Sequence, residues 1–152
     1  MSNSNKVEYS SGGVTIKLNF APLERRLVIA QQWLGDRVLE DCKSCMPLLT
    51  GNLQHRSVTE DNGKKVFFPG PCANYLYRGK VMVDSVTGKG PRKIPTGPGE
   101  FVLRFRKGAK LVPTERPLTY SSPQAVPEWF EHAKKLYLHT WIDGVKKLTG
   151  GK

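Results

Sequence analysis

Few side chains in this sequence are spaced for chemistry. Cys42-Lys43-Ser44-Cys45 has the spacing of half a zinc site or of a redox pair. Zinc needs four ligands, and Cys72, His55, His132 and His139 stand at no finger-like spacing from these two. A redox pair sits at a helix N-terminus, where the dipole stabilises a thiolate; Cys42 and Cys45 close a helix, where the dipole disfavours one. They read as packed thiols. His132 and His139 share a helix face with Leu136 and read as surface residues. No serine or cysteine stands beside a histidine as an activated nucleophile would. Thr87-Gly88-Lys89-Gly90 has the residue types of a phosphate cradle, but it lacks the P-loop spacing and no helix follows it. The acid pairs Glu40/Asp41 and Glu60/Asp61 fall on a helix surface and at a turn, and read as solvated. No catalytic residue, metal site or cofactor is assigned.

What the sequence does concentrate is positive charge. It carries 24 Lys and Arg against 13 Asp and Glu, a net +11 over 152 residues. Lys89, Arg92, Lys93, Arg104, Arg106, Lys107, Lys110 and Arg116 lie close together, opposed only by Glu100 and Glu115. Such a stretch can grip phosphates. Its rings are Phe101 and Phe105, too few for base stacking, so sequence readout is not expected. The stretch suits an acidic protein surface or neighbouring subunit, or DNA bound without sequence preference; solubility alone is the remaining reading. Lys89, Arg92, Lys93, Arg104, Arg106 and Lys107 are the candidate contacts.

The elements that must position these residues follow from periodicity. Residues 1–12 are polar and expected to be flexible until tied to a sheet or partner. Val14, Ile16, Leu18 and Phe20 alternate with polar residues, as in a half-buried strand. Pro22 opens a helix with an apolar stripe through Leu23, Leu27, Ala30, Leu34, Val38 and Cys42, and Pro47 ends it. A strand is expected over Leu53–Thr59, a turn at Asp61-Asn62-Gly63, and a returning strand at Lys65–Phe68. Tyr75–Val83 reads as a helical turn into a strand, or as one bent strand. Residues 84–99 read as an extended basic Gly/Pro loop. Short strands are expected at 101–106 and 118–120. Pro127 opens a second long helix that Gly150-Gly151 ends. Leu27, Leu34, Trp129 and Trp141 are expected core. The order implies an α+β class, with a small, mainly antiparallel sheet packed against the two long helices, as one domain over 13–150. No stretch reaches the about eighteen apolar residues of a membrane span. No apolar leader opens the chain, so synthesis and folding in a cytoplasm are expected.

Four segments resemble a known family. Pro47, Thr50-Gly51, Leu53 and Ser57 are similar to the Thr-Gly signature of head–tail joining proteins of long-tailed bacteriophages, often labelled minor capsid proteins. The run Ala73-Asn74-Tyr75-Leu76-Tyr77-Arg78-Gly79 resembles the aromatic segment that trails that signature. Arg116–Ser121 and Val126–Lys134 resemble the branch found in phages and prophages of Gram-positive bacteria. The likeness spans about residues 20–148 in matching order; the basic stretch 84–99 departs from the broader family. The resemblance implies a non-enzymatic virion protein, made in the host bacterial cytoplasm and placed in the neck. Its copies, six or twelve in such families, would form a homo-oligomeric ring. Its partners would be portal, connector or stopper proteins on one side and tail tube or terminator proteins on the other, with non-specific contact to packaged DNA and no membrane. Pro47, Thr50, Gly51, Leu53, Ser57, Tyr75 and Gly79 would be structural motif residues. The alternative is a small basic DNA-binding protein.

Overall fold

A computed structural model describes residues 5–48, 52–70 and 73–151. The protein is α+β. Its long helices are α1 (Ala21–Lys43) and α4 (Trp129–Thr149), and its short ones α2 (Asn52–Arg56) and α3 (Ala73–Arg78). Each strand among the described residues belongs to a two-stranded antiparallel ladder: β1 (Lys6–Ser11) with β2 (Val14–Asn19), β3 (Val58–Glu60) with β4 (Lys65–Phe67), β5 (Lys80–Asp84) with β8 (Leu111–Pro117), and β6 (Arg92–Gly97) with β7 (Glu100–Arg104). The small sheet is therefore four separate ladders. The chain divides into two compact units. One holds Met1–Lys43, Ser57–Phe67 and Ala133–Lys152; the other holds Ser44–Arg56 and Phe68–His132.

In the first unit, residues 6–11 find their sheet within the chain. They fold back on β2 through Gly12 and Gly13, both at positive φ. Helix α1 starts where the Asn19 Oδ1 accepts the Ala21 N–H at 3.1 Å. It stops at Lys43, four residues before the expected end. Proline acts ahead of itself: Pro47 has no N–H for the Lys43 carbonyl, and its ring would crowd that oxygen. The core here is Ala30, Leu39 and Cys42 of α1 with Ala133 and Trp141 of α4. The Trp141 indole N–H donates to the buried Asp41 Oδ2 at 2.8 Å, and Arg37 Nε donates to the same oxygen at 3.1 Å. Gly144 lets the Trp33 ring lie on α4; a Cβ there would stand 1.9 Å from it. The β3–β4 turn is the one expected, with Asp61, Asn62 and Gly63 all at positive φ. Helix α4 closes on Gly150 at φ 83, with the Gly151 N–H donating to the Lys146 carbonyl at 2.8 Å.

In the second unit, the strand expected over Leu53–Thr59 begins instead as the short helix α2. Its residues, Asn-Leu-Gln-His-Arg, include none that is β-branched; Val58 and Thr59 start the strand. Tyr75–Val83 takes the first of its two readings, α3 then β5. The strand expected at 118–120 lies earlier, at Leu111–Pro117. Pro113 and Pro117 hid it, and they are tolerated because β8 has a single partner strand. Tyr120 is used differently: its hydroxyl donates to the Leu76 carbonyl at 2.6 Å, and burial raises its pKa. Gly79 ends α3 at φ 64, and a Cβ there would stand 2.5 Å from Pro127. Helix α4 begins at Trp129, not Pro127. Glu128, at φ 50, caps it by accepting the His132 N–H at 3.0 Å. Trp129 is buried, edge-on to Tyr77 at 4.8 Å and to Phe68 at 5.7 Å between ring centroids.

Of the four expected core residues, Trp129 and Trp141 are buried and Leu34 is half-buried. Leu27 is 50% exposed. The apolar stripe of α1 is real, but residues 22–29 on its first two turns are all exposed.

Candidate functional site

The groups with chemical potential are spoken for. Cys42 and Cys45 are buried, with the Ser44 hydroxyl 3.5 Å from the Cys45 sulfur, and Cys72 lies outside the described residues. Among the described residues no three His, Cys, Asp or Glu side chains gather as a metal site. His132 and His139 are exposed on α4. Amides in and beside the Thr87–Gly90 turn are bonded within the turn itself. Val86 N–H donates to Asp84 Oδ1 at 2.9 Å, Gly88 N–H to the Asp84 carbonyl at 2.8 Å, and Lys89 N–H to Thr87 Oγ1 at 3.4 Å. No described helix is long and apolar enough to cross a membrane.

Residues 85–91 lie outside helix and strand, but the rest of the basic stretch is not a loop. Residues 92–104 form the β6–β7 ribbon, turned at Pro98-Gly99. Pro98 presets the first turn position and Gly99, at φ 78, takes the second. Composition hides this ribbon, because Pro95 and Gly97 stand inside β6; a register shift between them absorbs both. The base is clamped. Arg106 Nε donates to Asp84 Oδ2 at 3.0 Å and its Nη2 to Oδ1 at 3.4 Å, while Ser85 N–H donates to the Lys110 carbonyl at 2.8 Å. This fork holds the Asp84 carboxyl below its ordinary pKa and raises that of Arg106. Arg106 thus serves the fold. Of the other expected contacts, Arg92, Lys93 and Arg104 stand on the ribbon and Lys89 and Lys107 flank it, all exposed. Arg92 pairs directly with Arg104, a like-charge juxtaposition that costs stability. Lys93 Nζ lies 4.7 Å from the Phe101 ring centre. Ile94, Phe101, Val102 and Leu103 are exposed as well, so both ribbon faces mix apolar and basic groups.

A second surface escaped the sequence reading. The β1–β2 register puts Val7 opposite Leu18 and Tyr9 opposite Ile16. These and Val14 share one face, and all are about half exposed or more. The other face carries Ser10, Thr15 and the Lys17–Glu8 ion pair at 3.1 Å. Strand β2 runs through Phe20 into the exposed start of α1, where Leu23, Leu27, Val28 and Ile29 also face solvent. The alternation of Val14, Ile16 and Leu18 gave the face but not its exposure.

Of the motif residues, Pro47 and Ser57 are buried and Leu53 and Tyr75 are half-buried; Gly79 ends α3. Thr50 and Gly51 lie outside the described residues.

Comparison with protein-family models, curated proteins and solved structures gives no significant match.

Proposed function

We propose that this protein is a structural subunit of a tailed phage or prophage, which assembles as a ring in the neck and joins head to tail. The observation that carries the assembly role is the exposed apolar surface of β1–β2 and α1. Val7, Tyr9, Val14, Ile16 and Leu18 exposed together on one face suit a subunit that is covered on assembly. The neck location comes from the resemblance in the Thr-Gly and aromatic segments. In this reading the β6–β7 ribbon meets the acidic surface of a neighbouring neck protein, with Ile94, Val102 and Leu103 supplying apolar contact beside the cations. The experiment is deletion of the gene from the genome that encodes it. Separate filled heads and free tails in electron micrographs are the expected result. Intact, infectious particles would refute the role.

One observation favours the alternative. A two-stranded ribbon bearing Arg92, Lys93 and Arg104 has the dimensions that a DNA major groove admits. Under that reading the protein binds duplex DNA of any sequence, and retention on a DNA column falls steeply as salt rises to about 0.3 M.

A further inference from the structure

We infer that the β6–β7 ribbon grips the phosphates of duplex DNA, with Arg92 and Arg104 on one face and Lys93 on the other. The inference rests on the DNA reading of this ribbon and deepens it by naming the groups that meet the backbone; it holds for a neck subunit as for a free protein. Three observations carry it. The first is exposure. Every residue of β6 and β7 except Gly97 is exposed, so the ribbon is an arm open on both faces. The second is an unrelieved repulsion. Arg92 and Arg104 are direct cross-strand partners, a register that sets their Cβ atoms about 5 Å apart. Neither makes an ion pair among the described residues. The nearby acids are engaged: Asp84 accepts from Arg106, and Glu115 stands 3.6 Å from Lys80. Glu100 lies at the other end of the ribbon, where it closes the ladder with Gly97. An oxyanion set between the two guanidinia turns their repulsion into charge-assisted hydrogen bonds. The third observation selects the partner. Alternation puts Arg92 and Arg104 on one face with Ile94 and Val102, and Lys93 on the other with Leu103 and Phe101. A flat acidic protein surface meets one face at a time. The duplex major groove is about 12 Å wide between its phosphate walls, and a ribbon is about 10 Å through its side chains. Standing edge-on there, the ribbon turns cations to both walls at once. Lys89, Lys107 and Lys110, exposed beside its foot, add to the same field.

The test is binding of the purified full-length chain to a labelled duplex of mixed sequence, by fluorescence anisotropy across a salt series. Three proteins are compared: wild type, the double variant Arg92→Gln/Arg104→Gln, and Lys146→Gln/Lys147→Gln, which removes the same charge from the exposed end of α4. Two lost phosphate contacts should make the plot of log K against log salt shallower by about 1.8, and binding at about 0.1 M salt weaker by about fiftyfold. The α4 variant should keep the wild-type slope. Urea unfolding supplies the control: relief of the Arg–Arg repulsion predicts a midpoint for Arg92→Gln/Arg104→Gln at or above that of wild type. Unlabelled duplex should displace the probe at lower charge concentration than polyglutamate does. DNA binding undiminished in Arg92→Gln/Arg104→Gln, or lost equally in both variants, would overturn the inference while leaving the DNA reading standing. A wild type that binds no duplex at about 0.05 M salt would overturn both. Polyglutamate as the better competitor would overturn the inference in favour of an acidic protein surface. A lowered urea midpoint for Arg92→Gln/Arg104→Gln would also overturn it, since the guanidinia would then be partnered within the chain. None of these results bears on the neck location, which is tested on particles.

Discussion

Gly35 sits in the middle of α1, where helix propensity alone says alanine is better by about 1 kcal/mol. The fold says otherwise. A Cβ at Gly35 would stand 2.5 Å from the Gly63 carbonyl oxygen and 2.6 Å from the Gly63 Cα. Ordinary contact begins near 3.4 Å, so the β3–β4 turn must retreat by about 0.9 Å. Backbone cannot swing aside as a flexible side chain does. The retreat would pull on two hydrogen bonds: Gln31 Nε2 donates to the Asn62 carbonyl at 3.0 Å, and Thr59 Oγ1 donates to Asp36 Oδ1 at 2.6 Å. Overpacking of this kind costs about 2–3 kcal/mol. Set against the propensity gain, Gly35→Ala should lose about 1–2 kcal/mol, a fall in Tm of about 3–8 °C for a chain of this size. Urea and thermal unfolding by circular dichroism measure it. Gly35→Ala as stable as wild type, or more so, would refute the packing of α1 against the turn, because the two effects have opposite signs.

The remaining predictions follow the same packing and ion pairs. Gly144→Ala should displace the Trp33 ring and lower stability by about 1–3 kcal/mol, with a change in tryptophan fluorescence; an unchanged spectrum would contradict the contact. Asp41→Ala removes the acceptor of the buried Trp141 N–H and should cost about 2 kcal/mol, whereas Asp41→Asn, whose amide oxygen can still accept, should cost less; the same unfolding curves report both. Asp84 titrates below its ordinary value of 3.8 because Arg106 donates to it. A depressed folded pKa adds stability that is present above about pH 4 and is lost as pH falls through the lower folded value. The urea midpoint should therefore drop below about pH 4 more steeply in wild type than in Asp84→Asn, and parallel curves would remove the clamp from the account.

How legible was this in the sequence? The long helices, the Asp61-Asn62-Gly63 turn and the α+β class were written in periodicity and turn chemistry. The ribbon at 92–104 and the strand at 111–117 were not, because Pro95, Pro113 and Pro117 read as breakers. Proline breaks a central strand, and a sequence does not show that a strand will have only one neighbour. The Arg106–Asp84 fork joins residues 22 apart, beyond any local pattern. Burial failed in an instructive way. Periodicity identified the apolar stripe through Leu27 and the Val14–Leu18 face correctly, but it states which side is apolar and not whether anything covers it. The same blindness hid the candidate assembly surface, which the resemblance to neck proteins had implied only in general terms.

The claim that this chain is a neck subunit is tested most directly by locating it in the particle. Gold-labelled antibody against the purified protein, applied to virions of the phage or induced prophage that encodes it, should mark the head–tail junction. Virions that carry no label there, and whose washed protein lacks this chain by mass spectrometry, would contradict the account.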